Sequence, residues 1–304
     1  MAAWWSRSWR RLRIEAGDLL ELVLLPGLAV VLPWPWCFVL FRRMARWPWL
    51  YGAQCREALA QARLRGCCGA DEGVWLAERR LVTLLDHADH YLLRTRSPRA
   101  WMDRYVEARG QWEPGGRAAL LWTFHWGMGM WALVHARAHG LQAPMVLAAP
   151  GGPDFAGRTV FGRYVRARMR SVELALGEPV IFVPGGMAGV RDALAQGMQV
   201  IVVMDVPQDQ VPVTRLARLL DAPVSVPAVL PQLAVEQGLP VTVFSMGCDG
   251  RTGRRMLHIE PLGVHGDAGA LTDAAFAHLD GLLRAAPAGW HLWAQAPRFF
   301  VARN

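Results

Sequence analysis

Apolar positions along this chain fall into two patterns, one of period two and one of helical period. Short apolar runs at 118–124, 144–149, 179–183, 199–204 and 241–246 read as strands. Between them, 128–140, 156–170, 187–197 and 226–237 read as helices, and 271–286 as a final helix. Upstream, 51–66 and 74–96 read as helices; Val74, Leu76, Leu81, Leu84, Leu85, Ala88 and Leu92 recur at roughly helical spacing in the second. Strand and helix alternate after Pro114-Gly115-Gly116, which predicts an α/β fold with a mainly parallel central sheet flanked by helices. Pro184-Gly185-Gly186 reads as a strand-to-helix turn, since it lacks the lysine of a phosphate-cradling loop.

The N-terminal stretch follows neither pattern. Leu22–Phe41 carries no charged side chain, close to the ~20 residues of a spanning helix. Trp4, Trp5 and Trp9 alternate with arginines ahead of it, and Arg42, Arg43 and Arg46 close it. Tryptophan with arginine suits a membrane interface. Pro26, Pro33 and Pro35 interrupt the run, so a kinked span and a re-entrant hairpin both fit; a buried core helix is the plainer alternative. The expected organisation is a membrane anchor over 1–50 and an α/β domain over 51–304.

All 33 basic side chains are arginines, and the formal net charge is +8. That favours anionic partners such as phospholipid headgroups or an acidic carrier protein. No helix-turn-helix, zinc-finger or RNP pattern is present, so nucleic acid is not an expected partner. The five cysteines form no CxxC pair and read as reduced thiols. His87 and His90 with Asp86 and Asp89 have no third-ligand spacing and read as a solvated polar face, so no metal is expected.

The chemistry concentrates at Leu120-Leu121-Trp122-Thr123-Phe124-His125, an apolar run ending in a histidine, followed by Trp126-Gly127-Met128-Gly129-Met130. This places an imidazole at the carboxyl end of a strand, where α/β folds collect their reactive groups. A neutral imidazole there can accept a proton from an attacking hydroxyl or amine.

Four segments in order resemble the bacterial lipid A late acyltransferases, the lauroyl/myristoyl transferase branch of the lysophospholipid acyltransferase superfamily. They are His125–Met130, the strand ending in Asp205 with Gln208 beyond it, Leu219–Ala228, and the tail Trp290-His291-Leu292-Trp293 through Arg298-Phe299. The resemblance implies an enzyme on the cytoplasmic face of the bacterial inner membrane. It would move an acyl chain from an acyl-carrier-protein or coenzyme A thioester to a lipid-like acceptor, with no cofactor beyond that thioester. It makes His125 the general base and Asp205 a second catalytic candidate. Gly127, Met130, Arg163, Arg166, Arg170 and Arg298 become substrate-binding candidates; Arg163, Arg166 and Arg170 share one helix face.

One position departs from the family pattern. Its motif is His-x4-Asp/Glu, and here the acid is replaced by Met130, which can neither carry charge nor accept a strong hydrogen bond. Asp154 and Asp205 are the carboxylates that could serve instead. Without one, the chain would be a degenerate relative that binds acyl lipid or a partner, with Met128, Met130 and Trp131 lining the pocket.

Overall fold

The computed structural model describes residues 2–149, 151, 155, 157–183 and 185–301, with side chains from residue 9 onward. Helix α1 (Ala2–Leu19) runs through a wider π turn at Leu20–Leu24 into α2 (Leu25–Val31). Helices α3 (Trp34–Met44), α4 (Gly52–Leu64), α5 (Glu72–Thr95) and α6 (Pro98–Tyr105) follow, then strands β1 (Val106–Arg109) and β2 (Ala119–Thr123). Next come α7 (Met130–Ala138), β3 (Val146–Ala148), α8 (Thr159–Leu176), β4 (Ile181–Val183), α9 (Met187–Ala195) and β5 (Gln199–Val203). The chain ends with β6 (Thr214–Leu219), β7 (Ala222–Pro227), α10 (Val229–Glu236), β8 (Val241–Cys248), β9 (Arg255–Gly263) and α11 (Ala268–Ala285).

The central sheet has the order β1-β9-β8-β2-β5. Every pairing in it is parallel except β8 with β9. The parallel pair β3–β4 extends it beyond β5 through a bridge between Met145 and Ile201. Strands β2 and β5 are buried along nearly their whole length, as expected where helices cover both faces. One core lies between the sheet and α2, α3, α5 and α7; the other lies under α4, α10, α11 and the tail.

Several elements differ from the sequence reading. The β6–β7 hairpin was not expected, and β7 occupies the beginning of the helix expected over 226–237. Its turn places Leu220 and Asp221 at φ 52° and 59°, without the glycine or asparagine that usually marks such a turn. Helix α6 and strands β1 and β9 were also missed; β9 carries Arg255, His258, Glu260 and Pro261, which mask its alternation.

The charge-free N-terminal run is not organised as one spanning helix: α2 stops at Val31, and Leu32 turns extended ahead of Pro33. Among the described residues no helix is long and apolar enough to cross a membrane. Nor is residue 50 a packing boundary. Ala29, Trp34, Phe38, Phe41 and Met44 share one core with Leu92, Trp131 and Phe244. Polar links add to this: Glu21 accepts from the Tyr51 amide at 2.6 Å, and Glu15 caps α8 by accepting from the amides of Thr159 and Val160.

Asp86, His87, Asp89 and His90 are likewise not a solvated face. Asp89 and His90 are buried, Asp89 paired with the fully buried Arg255 and His90 hydrogen-bonded to Ser171 at 2.9 Å. Asp86 binds the Arg168 guanidinium through both oxygens, at 2.6 and 2.8 Å. The partners lie far along the chain, so helical periodicity alone cannot reveal them.

Candidate active site

The parallel register of β2 and β5 builds the site. Thr123 pairs with Val203, and the Met204 amide continues the ladder to the Thr123 carbonyl at 2.9 Å. His125 and Asp205 each lie two residues beyond that last pair, so they leave the sheet side by side. The Asp205 carboxylate accepts from the His125 amide at 2.9 and 3.0 Å, and its Oδ1 lies 3.0 Å from His125 Nδ1. The indole N–H of Trp290 donates to Oδ2 at 2.7 Å. A carboxylate that is 1% exposed is thereby fully engaged, as a buried charge requires.

His125 contrasts with its partner, since 44% of its side-chain surface meets solvent. Protein crowding disfavours the imidazolium, but the Asp205 charge and hydrogen bond outweigh it, leaving the pKa above the usual histidine value. With Nδ1–H donated to Asp205, the lone pair of the neutral ring lies on Nε2. No group among the described residues bonds to Nε2. This is the base geometry of a histidine–carboxylate dyad.

The turn after His125 is held from the tail and from β8. Gly127 sits at φ +70°, and a Cβ there would lie 2.0 Å from the Met246 carbonyl oxygen, so only glycine fits. Its N–H donates to Gly289 O at 3.0 Å, and its carbonyl accepts from His291 Nε2 at 2.6 Å. The His291 amide in turn donates to the His125 carbonyl at 2.7 Å. Burial and the Arg79 charge lower the His291 pKa to about 4, so this imidazole stays neutral and donates. Arg79 is itself buried and donates to the carbonyls of Ala288 and His291 at 3.3 Å each.

The other candidates are distributed unevenly. Met130 opens α7 but is buried in the core, as are Met128 and Trp131, so none of the three is a free lining for a lipid pocket. Arg163, Arg166 and Arg170 are exposed on α8, with no ion-pair partner among the described residues. Arg168 on the same helix turns inward to Asp86, whose charge is felt at His125. Arg298 is occupied, bonding Asp209 at 2.7 Å and Gln295 at 2.9 Å. Asp154 lies outside the described residues, as do Pro184 and the side chains of Trp4 and Trp5.

No family model and no curated protein matches this chain.

The residues that sequence reasoning did not place are Arg79, Asp86, Trp290 and His291. Trp290 and His291 stood in a noticed motif, and the signal was there. A buried indole and a half-buried imidazole are donors that need acceptors, and Asp205 and Gly127 supply them.

Proposed function

We propose that this protein is an acyltransferase that moves an acyl chain from an acyl-carrier-protein or coenzyme A thioester to a hydroxyl or amine of a lipid-like acceptor. The observation that carries this reading is the His125–Asp205 pair, with a buried carboxylate holding Nδ1 and an Nε2 open to solvent. His125 Nε2 takes the proton from the acceptor as its oxygen or nitrogen attacks the thioester carbonyl. The tetrahedral intermediate then expels the thiolate, which recovers that proton from the imidazolium. Asp205 fixes the tautomer and offsets the transient positive charge. The missing acid at Met130 motivates a degenerate-relative reading; Asp205 at 3.0 Å from His125 Nδ1 supports the catalytic one.

Charge supports a phosphate-bearing acceptor or carrier. Arg163, Arg166 and Arg170 present guanidinium groups suited to phosphate on the acceptor or the carrier. Membrane attachment is supported by exposed apolar side chains grouped in the N-terminal segment: Val31, Trp36, Val39, Trp47 and Trp49. Insertion of such a surface into one leaflet of the bacterial inner membrane needs no spanning helix.

The direct test is transfer from an acyl thioester to a lysophospholipid or glucosamine-lipid acceptor by the purified protein. His125→Ala is expected to lower the rate by roughly 1,000-fold or more. Undiminished transfer in that variant would overturn the role of His125.

A further inference from the structure

We propose that the cavity at the start of α3 binds the phosphate of an anionic phospholipid headgroup. The cavity is about 310 Å³ in volume and lies at the elbow where α2 ends and α3 begins. Its walls come from Trp34 and Trp36 of α3, from Trp101, Arg104 and Tyr105 of α6, and from Arg96 in the α5–α6 connection. The His125 site contributes none of them. This inference rests on the membrane attachment proposed above and is independent of acyl transfer.

The two arginines are held but not neutralised. Arg96 donates from Nη2 to the carbonyls of Ala29, Val30 and Leu32 at 3.1, 2.9 and 3.3 Å, closing the end of α2. Its Nε and Nη1 make no hydrogen bond among the described residues. Arg104 lies over the Tyr105 ring at 5.4 Å and has no acidic partner among the described residues. Carbonyl contacts and a ring face orient a guanidinium without cancelling its charge, which leaves two cations converging on one hollow.

The aromatic walls make the hollow rigid. Trp34 and Trp101 meet edge to face at 5.3 Å, and Trp101 lies 4.5 Å from Tyr105. Beside the hollow, Val31 and Trp36 are exposed at 73% and 74%. Apolar side chains that insert beside two unneutralised arginines set the arginines at the depth of lipid phosphate. A zwitterionic headgroup would bring its ammonium toward the arginines, so the site selects an anionic lipid.

The test is calorimetric titration of the full-length protein in a neutral detergent with dihexanoyl-phosphatidylglycerol, inorganic phosphate and glycerol 3-phosphate. Saturable lipid binding is expected, with Arg104→Ala weakening it at least about tenfold at unchanged melting temperature, and Arg104→Lys retaining part of it. Equal lipid affinity in Arg104→Ala would overturn the proposal. Inorganic phosphate binding as tightly as the lipid would also overturn it, by making this a free-phosphate site. Pelleting with phosphatidylcholine vesicles separates the two layers of the argument. Pelleting without Arg104-dependent lipid binding removes the headgroup site alone. Arg104-dependent lipid binding without pelleting upholds the site and removes the attachment.

Discussion

Among the described residues, two histidine–carboxylate pairs are built from the same parts in opposite order: His125 with Asp205 just past the ends of β2 and β5, and His278 on α11 with Glu260 on β9. His125 Nδ1 lies 3.0 Å from Asp205, and His278 Nδ1 lies 2.7 Å from Glu260. In the first pair the carboxylate is 1% exposed and the imidazole 44%; in the second the imidazole is 9% exposed and the carboxylate 57%. The remaining nitrogen completes the contrast. His125 Nε2 is open, whereas His278 Nε2 lies 3.1 Å from the hydroxyl of Ser245, which is buried on β8. The second set has the distances of a serine–histidine–acid triad with the burial reversed: the would-be nucleophile is shielded and the acid is wet. A nucleophile or base must reach substrate and its supporting charge must be shielded, so only the His125 pair is arranged for chemistry.

The comparison can be broken most forcefully at Asp205. Asp205→Ala orphans the His125 amide, the His125 ring and the Trp290 indole. Transfer is expected to fall by roughly 10,000-fold, and denaturant melts should show a loss of about 2–4 kcal/mol. Met130→Glu comes next. It restores an acid at the family position but buries it in the core, at about 3 kcal/mol or more of stability and with no gain in rate. A faster Met130→Glu enzyme would mean that Asp205 does not serve His125.

The second pair should respond weakly. Ser245→Ala removes one buried hydrogen bond, and about 1 kcal/mol is expected in a urea melt with transfer unchanged. Glu260→Gln touches a mostly exposed acid and should shift stability by under ~1 kcal/mol. A large loss of transfer in either variant would make His278 part of the chemistry.

Much of this was legible in the sequence, and the limits have physical causes. The strands β2, β5 and β8 announce themselves because both faces are buried, and His125 stands out at the end of one of them. Asp205 reads as a candidate partner because it ends a neighbouring strand, but its reach to His125 depends on a register pairing Thr123 with Val203, a long-range fact that no local pattern encodes. Asp86 and Asp89 look solvated on a helical wheel for the same reason, since Arg168 and Arg255 neutralise them from across the fold. By length and lack of charge the apolar N-terminal run reads as a membrane anchor, either a kinked span or a re-entrant hairpin. Pro33 divides it into two helices, α2 and α3, and both pack against α5.

Titration of the His125–Asp205 pair links stability and rate to one proton. Asp205 raises the His125 pKa, so the pair contributes its full stability below pH ~6.5, the unfolded value, and loses it as pH rises through the folded one. The base must be neutral, so transfer should follow the opposite course and rise through that same folded value. The deciding measurement is the pH dependence of kcat/KM for acyl transfer, alongside the His125 ring titration by NMR, in the wild type and in Asp205→Asn. The acidic limb of the rate profile is expected to coincide with the His125 titration above the usual histidine value, and both are expected to move down together in Asp205→Asn. A rate profile that ignores the His125 titration, or a His125 titration that ignores the loss of Asp205, would contradict the catalytic pairing of His125 with Asp205.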